Sequence, residues 1–137
     1  MLLILSPAKS LNFNENSGFD SSEVRLSNES ELIMQELIKY SKPELEKLMK
    51  ISSKLADLNY SRFREWVWPH PEEVSKQALL AFDGDVFDGM QTSTLSHKNL
   101  DFAQKSIRII SGLYGVLRPL DRIMAYRLEK GYTFSVA

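Results

Sequence analysis

Cysteine is absent from the 137 residues. Disulfides, thiolate metal sites, iron–sulfur ligation and thiol redox sensing are thereby excluded from this chain. Histidine is nearly as scarce: His70 and His97 are the whole supply, and with scattered carboxylates they form no recognisable iron ligand set. No cofactor is expected. Long apolar runs are also missing. Residues 1–5 are apolar, but no basic region precedes them and Pro7 breaks the run, short of both a signal peptide and a spanning helix. The expectation is a soluble, cytoplasmic protein with no membrane partner. The formal net charge is only −1, so composition predicts neither disorder nor general attraction to nucleic acid.

What is present suffices for one domain. With 43% apolar residues the chain can bury a core, and a single α/β domain over residues 1–137 is expected. Its charge is uneven. Residues 104–131 carry Lys105, Arg108, Arg118, Arg122, Arg127 and Lys130 against Asp121 and Glu129, so an anionic partner should meet the C-terminal part.

Residues 2–5 read as a strand buried on both faces and central in a sheet. The loop after it, Ser6-Pro7-Ala8-Lys9-Ser10, then lies where ligands collect in open α/β sheets. Lys9 is a candidate anion contact there, although no Gly-x-x-x-x-Gly-Lys frame surrounds it. Residues 12–30 read as an exposed polar excursion. Helical spacing follows in Ile33, Leu37 and Tyr40, widened by Met34 and Ile38. Ser41 should cap a second helix with Pro43 in its first turn, and Leu45, Leu48, Met49, Ile51, Leu55 and Leu58 continue core stripes. Phe63, Trp66 and Val67 read as a buried face, leaving Arg62 as the basic residue to test. Trp68-Pro69-His70-Pro71 ends the helix in extended geometry and puts His70 on the surface. Ser96 should cap a helix beginning near His97.

Residues 72–77 suggest a short helix, and Ala78-Leu79-Leu80-Ala81-Phe82 a second buried strand. Asp83-Gly84-Asp85-Val86-Phe87-Asp88-Gly89 invites a calcium-loop test. Asp83 and Asp85 fit its first and third positions, but Phe87 stands at the fifth and Thr94 at the twelfth, so the template fails. Magnesium held by Asp83 or Asp85 remains open beside a plain turn at a strand end. Ile107, Ile109 and Ile110 predict a third strand. It runs into Ser111-Gly112-Leu113-Tyr114-Gly115-Val116-Leu117-Arg118-Pro119-Leu120-Asp121, read as a glycine turn and short helix whose N–H groups and arginine can receive a phosphate. Residues 133–136 read as a last strand.

Several of these segments together resemble one family, the YaaA family, cytoplasmic bacterial proteins linked to peroxide stress. The likeness rests on Leu3-Ile4-Leu5-Ser6-Pro7-Ala8-Lys9; on residues 48–59 with Arg62-Phe63; on Ala81-Phe82-Asp83-Gly84-Asp85-Val86-Phe87; and on residues 113–121 with Tyr126-Arg127-Leu128-Glu129. It implies an α/β fold with a mixed sheet flanked by helices, a basic cleft, and DNA binding attributed in part to a helix-hairpin-helix element. The physiological role implied is to limit free iron and oxidative DNA damage. The hairpin would turn at Gly112-Leu113-Tyr114-Gly115, where two residues separate the glycines in place of the usual one. Relatives continue further, so the chain is expected to be an N-terminal portion, with a cut sheet edge through which it self-associates.

Three functional readings follow. The first is DNA binding through phosphates, without base readout, by Lys9, Arg62, Gly112, Tyr114, Gly115, Arg118, Arg122 and Arg127. The second is a phosphate- or nucleotide-binding enzyme combining Lys9, Asp83, Asp85 and Arg118, for which the sequence supplies no identified nucleophile or base. In the third the same motifs only build the fold, with Gly115 fixing a turn and Arg118 pairing with Asp121.

Overall fold

A computed structural model describes residues 2–8, 10–13, 19–90 and 95–128, with Asp85 and Val86 in backbone only. Those residues form a mixed α/β fold in which three small sheets, the largest of them mixed, stand in place of one. The largest is built of β1 (Leu3–Leu5), β5 (Ile107–Ser111) and β6 (Gly115–Leu117), with β5 in the middle. β1 runs parallel to β5, with Leu3, Ile4 and Leu5 opposite Ile107, Arg108 and Ile109. β6 returns antiparallel. β1 is therefore an edge strand among the described residues, not the central strand its continuous apolar run predicts, and Leu3 and Ile4 are exposed.

The other two sheets are pairs. β2 (Ser10–Leu11) lies antiparallel to β4 (Phe82–Asp83), and β3 (Ser75–Gln77) antiparallel to β7 (Arg122–Met124). The segment before β3 is a 3-10 turn, Glu72–Val74, shorter than the helix expected. The predicted strand at residues 78–82 is instead one helical turn, α4 (Ala78–Ala81), leading into β4. A short apolar run has no period long enough to separate the two states, and alanine and leucine favour the helix.

Helix starts follow local chemistry closely. α1 (Ser27–Leu37) buries Ser30, Met34 and Leu37, and Ile38 beyond it is exposed. α2 (Lys42–Met49) begins with a capping box. The Ser41 hydroxyl accepts from the Glu44 N–H, and the Glu44 carboxylate accepts from the Ser41 N–H. Pro43 sits in the first turn, where no intrahelical N–H is needed. Lys50 ends α2 in the left-handed region (φ 54°), and the Ser52 hydroxyl caps α3 (Ser53–Glu65) by accepting from Leu55 N–H. α2 and α3 pack on each other as a helical hairpin. α5 (Asp85–Gly89) is short, and α6 (His97–Ser106) has the expected cap at Ser96, reciprocated by Asn99.

One apolar cluster joins these elements, with Leu37, Leu45, Ala56, Phe63, Leu79, Ile109, Leu117 and Ile123 fully buried. Its polar seams tie distant parts of the chain. The described part of the expected excursion is pinned down: Ser22 bridges to Asp121, Val24 is buried, and Gln77 donates to the Phe19 and Asp20 carbonyls. The strand expected at residues 133–136 lies outside the described residues.

Candidate functional site

The turn at residues 112–115 joins two strands, β5 and β6. No helix flanks it, so the helix-hairpin-helix expected there is not seen. Its geometry is set by Gly115, whose φ of +72° is a left-handed conformation and whose missing Cβ would stand 2.6 Å from Leu26 Cδ1. The N–H groups of Leu113 and Tyr114 are spent internally, both donating to Ser111 Oγ at 3.2 and 3.0 Å. With both lone pairs so occupied, the Ser111 hydroxyl donates its own proton to Tyr126 Oη at 2.6 Å. Two N–H groups of the turn, those of Leu113 and Tyr114, therefore face a serine.

Tyr114 is fully buried and organises a second relay. Its oxygen accepts from Trp66 Nε1–H at 2.9 Å and from the Met124 N–H at 3.1 Å. That leaves the phenol proton for His70 Nε2, also at 2.9 Å. His70 is then the Nδ1–H tautomer, donating to the Val67 carbonyl at 2.6 Å. Burial pushes the Tyr114 phenol upward and the His70 imidazolium downward, the Val67 carbonyl opposing the latter. Burial likewise pushes the Tyr126 phenol up to about 12, partly offset by Ser111. His70 is not the surface residue expected, since its ring packs edge-on against Trp66, Trp68 and Tyr114. The alternation of the rings of Trp66, Trp68 and His70 across a prolyl segment was the available signal.

The arginines expected at phosphates also have inward duties. Arg118 donates from Nε and NH2 to Asp121 Oδ1 at 3.0 and 2.9 Å and from NH2 to the Glu23 carbonyl at 2.7 Å. Asp121 is fully buried, and it also accepts from Arg118 N–H and Ser22 Oγ. It does not cap a helical turn at residues 122–124, which form β7. Arg122 holds Ser21 Oγ and the Ser75 carbonyl and pairs with Glu72. Arg108 donates to the Gln104 and Ile107 carbonyls. Arg127 is half-buried and has an interaction of its own.

Lys9 lies outside the described residues, but its neighbours are placed. Ser10 pairs with Asp83, and the Cβ position of Gly84 is 3.1 Å from Ala8. The loop after β1 and the Asp83-Gly84 turn thus form one corner, with the Asp83 side chain exposed and the Asp85 side chain undescribed. Among the described residues no group of three or more His, Asp or Glu could hold a metal ion.

Arg62 is half-buried on α3; burial lowers its pKa, which Glu65 partly restores. On the same hairpin, Lys47, Lys50 and Lys54 are exposed, and residues 47–56 contain no carboxylate. These lysines were not singled out from sequence, because the acids of α2 dilute the local charge. Lys47 stands in the last turn of α2, Lys50 is its left-handed cap and Lys54 lies in the first turn of α3.

The sequence profile of one family, described as Peroxide stress protein YaaA, matches residues 1–137. A UPF0246 protein of Colwellia psychrerythraea is 46% identical over 132 residues, covering 96% of this chain and 51% of that protein. One from Dechloromonas aromatica is 45% identical over 136 residues, covering 98% and 53%. One from Acaryochloris marina is 44% identical over 131 residues, covering 96% and 52%. The chain spans about half the length of the curated relatives it matches.

Proposed function

The chain belongs to the peroxide stress protein YaaA family, and from that premise we propose that it binds DNA through the sugar–phosphate backbone, without base readout, within a response that limits intracellular iron and DNA damage. The observation that supports this is the α2–α3 hairpin. Its turn presents Lys47, Lys50 and Lys54 around the first turn of α3, where helix N–H groups without intrahelical acceptors favour an anion. Arg62, half-buried on the same helix, is a further contact of this reading, and Lys9 is another candidate cation. Arg118, Arg122 and the glycines of the 112–115 turn serve this reading by holding the scaffold. Contacts of this type position a protein on a duplex and carry no direct sequence information.

Cations that neutralise phosphates release counterions, so the five side chains together give a log–log salt slope of about −4.5, of which the three turn lysines carry about −3. The test is titration of labelled duplexes of unrelated sequence at several salt concentrations, comparing the chain with Lys47→Glu/Lys50→Glu/Lys54→Glu. Weakened binding and a salt slope shallower by about 3 on every duplex are expected. Equal affinity and slope for both proteins would refute the hairpin assignment.

A second reading rests on the corner formed by Ala8, Ser10, Asp83 and Gly84. A phosphate or nucleotide bound there would use Lys9 as its cation and Asp83 or Asp85 to hold magnesium. Thermal shift against nucleotides with and without magnesium distinguishes it, because ligand at a hundredfold its Kd adds about 2.7 kcal/mol.

A further inference from the structure

Side chains opposite one another in adjacent strands share a face of the sheet. In the sheet of β1, β5 and β6 the pairs Leu5–Ile109 and Ile109–Leu117 define the inner face, and Ile109 and Leu117 are fully buried. The pairs Ile4–Arg108 and Ile110–Val116 define the outer one. Apart from Arg108, whose guanidinium donates to the Gln104 and Ile107 carbonyls, that outer face carries apolar side chains and is open: Ile4 is 61% exposed and Val116 41%. Leu2 next to it is 55% exposed, and Leu3, on the inner side of the strand, is 47% exposed at the β1 edge, which pairs with nothing among the described residues.

Such a strand is unusual for an edge. Soluble proteins guard free edges with charge, proline or bulges, and continuous apolar strands in parallel pairs are normally covered on both faces. Residues 2–5 carry no charge at all. An open edge of this kind beside exposed apolar side chains marks an interaction surface.

We propose that the free edge of β1 and the outer face of Ile4, Ile110 and Val116 are the seat of the polypeptide that makes up the other half of the family's curated relatives. That half adds an extended strand alongside β1 and lays apolar side chains on the outer face. Length argues for this occupant. The Colwellia, Dechloromonas and Acaryochloris proteins match nearly all of this chain with only 51–53% of their own length, so each carries about as much polypeptide again. The hydrogen-bonding row of β1 supplies affinity in the manner of strand addition, and the apolar face supplies register.

The test compares residues 1–137 with a chimera in which they are joined to the part of the Colwellia relative outside the matched segment. Hydrogen exchange at residues 2–5 and 115–117 should be at least tenfold slower in the chimera. Ile4→Thr with Val116→Thr, both at exposed positions, should leave the melting midpoint of the chain alone unchanged and lower that of the chimera by several degrees. Equal exchange in both proteins overturns the proposal. So does protection that appears in the chain alone and rises with its concentration, which would make a second copy the occupant. A double substitution that is neutral in both proteins overturns it as well.

Discussion

The Tyr114 hydroxyl donates to Nε2 of His70 across 2.9 Å, 44 residues away in the chain. Because Trp66 Nε1–H and Met124 N–H both donate to the same oxygen, the phenol joins α3, β7 and the prolyl segment at one atom. Tyr114→Phe leaves two buried donors and an imidazole nitrogen unpaired, each a desolvation cost without return. Loss of about 1–3 kcal/mol is expected, measurable as a lower urea midpoint with an unchanged slope.

The same bond predicts an acid response. The folded-state pKa of His70 lies below its unfolded value because burial disfavours the imidazolium, so the unfolded chain binds the proton first. Stability is full above about pH 6.5, the usual histidine value, and falls as the pH drops below it toward the folded-state pKa. His70→Gln keeps an acceptor for the Tyr114 proton and does not titrate. Melting midpoints between pH 7.5 and 5 should flatten in that variant relative to the parent.

An alkaline response runs the other way. Tyr126 holds its proton to about 12 in the folded protein while an unfolded tyrosine loses it near 10, so stability should fall as the pH rises above about 10. Tyr126→Phe should weaken that dependence, at some cost in neutral stability because Ser111 loses its acceptor. Chemical denaturation at pH 8, 9.5 and 10.5 checks both.

Gly115→Ala faces two costs that can be separated. The left-handed backbone penalises any side chain by roughly 1–2 kcal/mol, and the new Cβ meets Leu26 Cδ1 at 2.6 Å. In a Leu26→Ala background the contact vanishes and the backbone penalty stays. Gly115→Ala should therefore cost less there than in the parent, and equal costs would show that the contact carries no weight.

Asp121→Ala removes the buried partner of Arg118. Breaking such a pair leaves an uncompensated charge; with Arg118 only partly exposed, about 3 kcal/mol of stability should be lost. Arg118→Ala should weaken folding in the same direction. Any loss of DNA binding in that variant is to be compared with its unfolding midpoint.

Much of the local structure was legible in residue order. Ser41, Pro43 and Glu44 announce α2, Ser96 announces α6, and the β-branched run at residues 107–110 announces β5, because caps and strand propensity act over a few residues. The errors lie where a short apolar run carries no period, as at Ala78–Ala81, or where an environment is assembled from afar. Nothing near His70 in sequence indicates that Tyr114 will cover it. Nothing near Arg118 names Glu23, whose carbonyl takes one of its donors. Of the expected site residues, Arg118 and Arg122 have their partners inside the fold, whereas the turn lysines stand together at the connection between α2 and α3.

The pairing of β1 with β5 has a consequence for how the protein is made. Leu3, Ile4 and Leu5 leave the ribosome well ahead of their partners Ile107, Arg108 and Ile109, which follow about a hundred residues later. During that interval at roughly 5–20 residues per second, an uncharged, strand-prone leader waits for several seconds without its mate. Until those partners emerge this strand is open to chaperone capture, and the β1–β5 ladder closes only after residue 109 has been made.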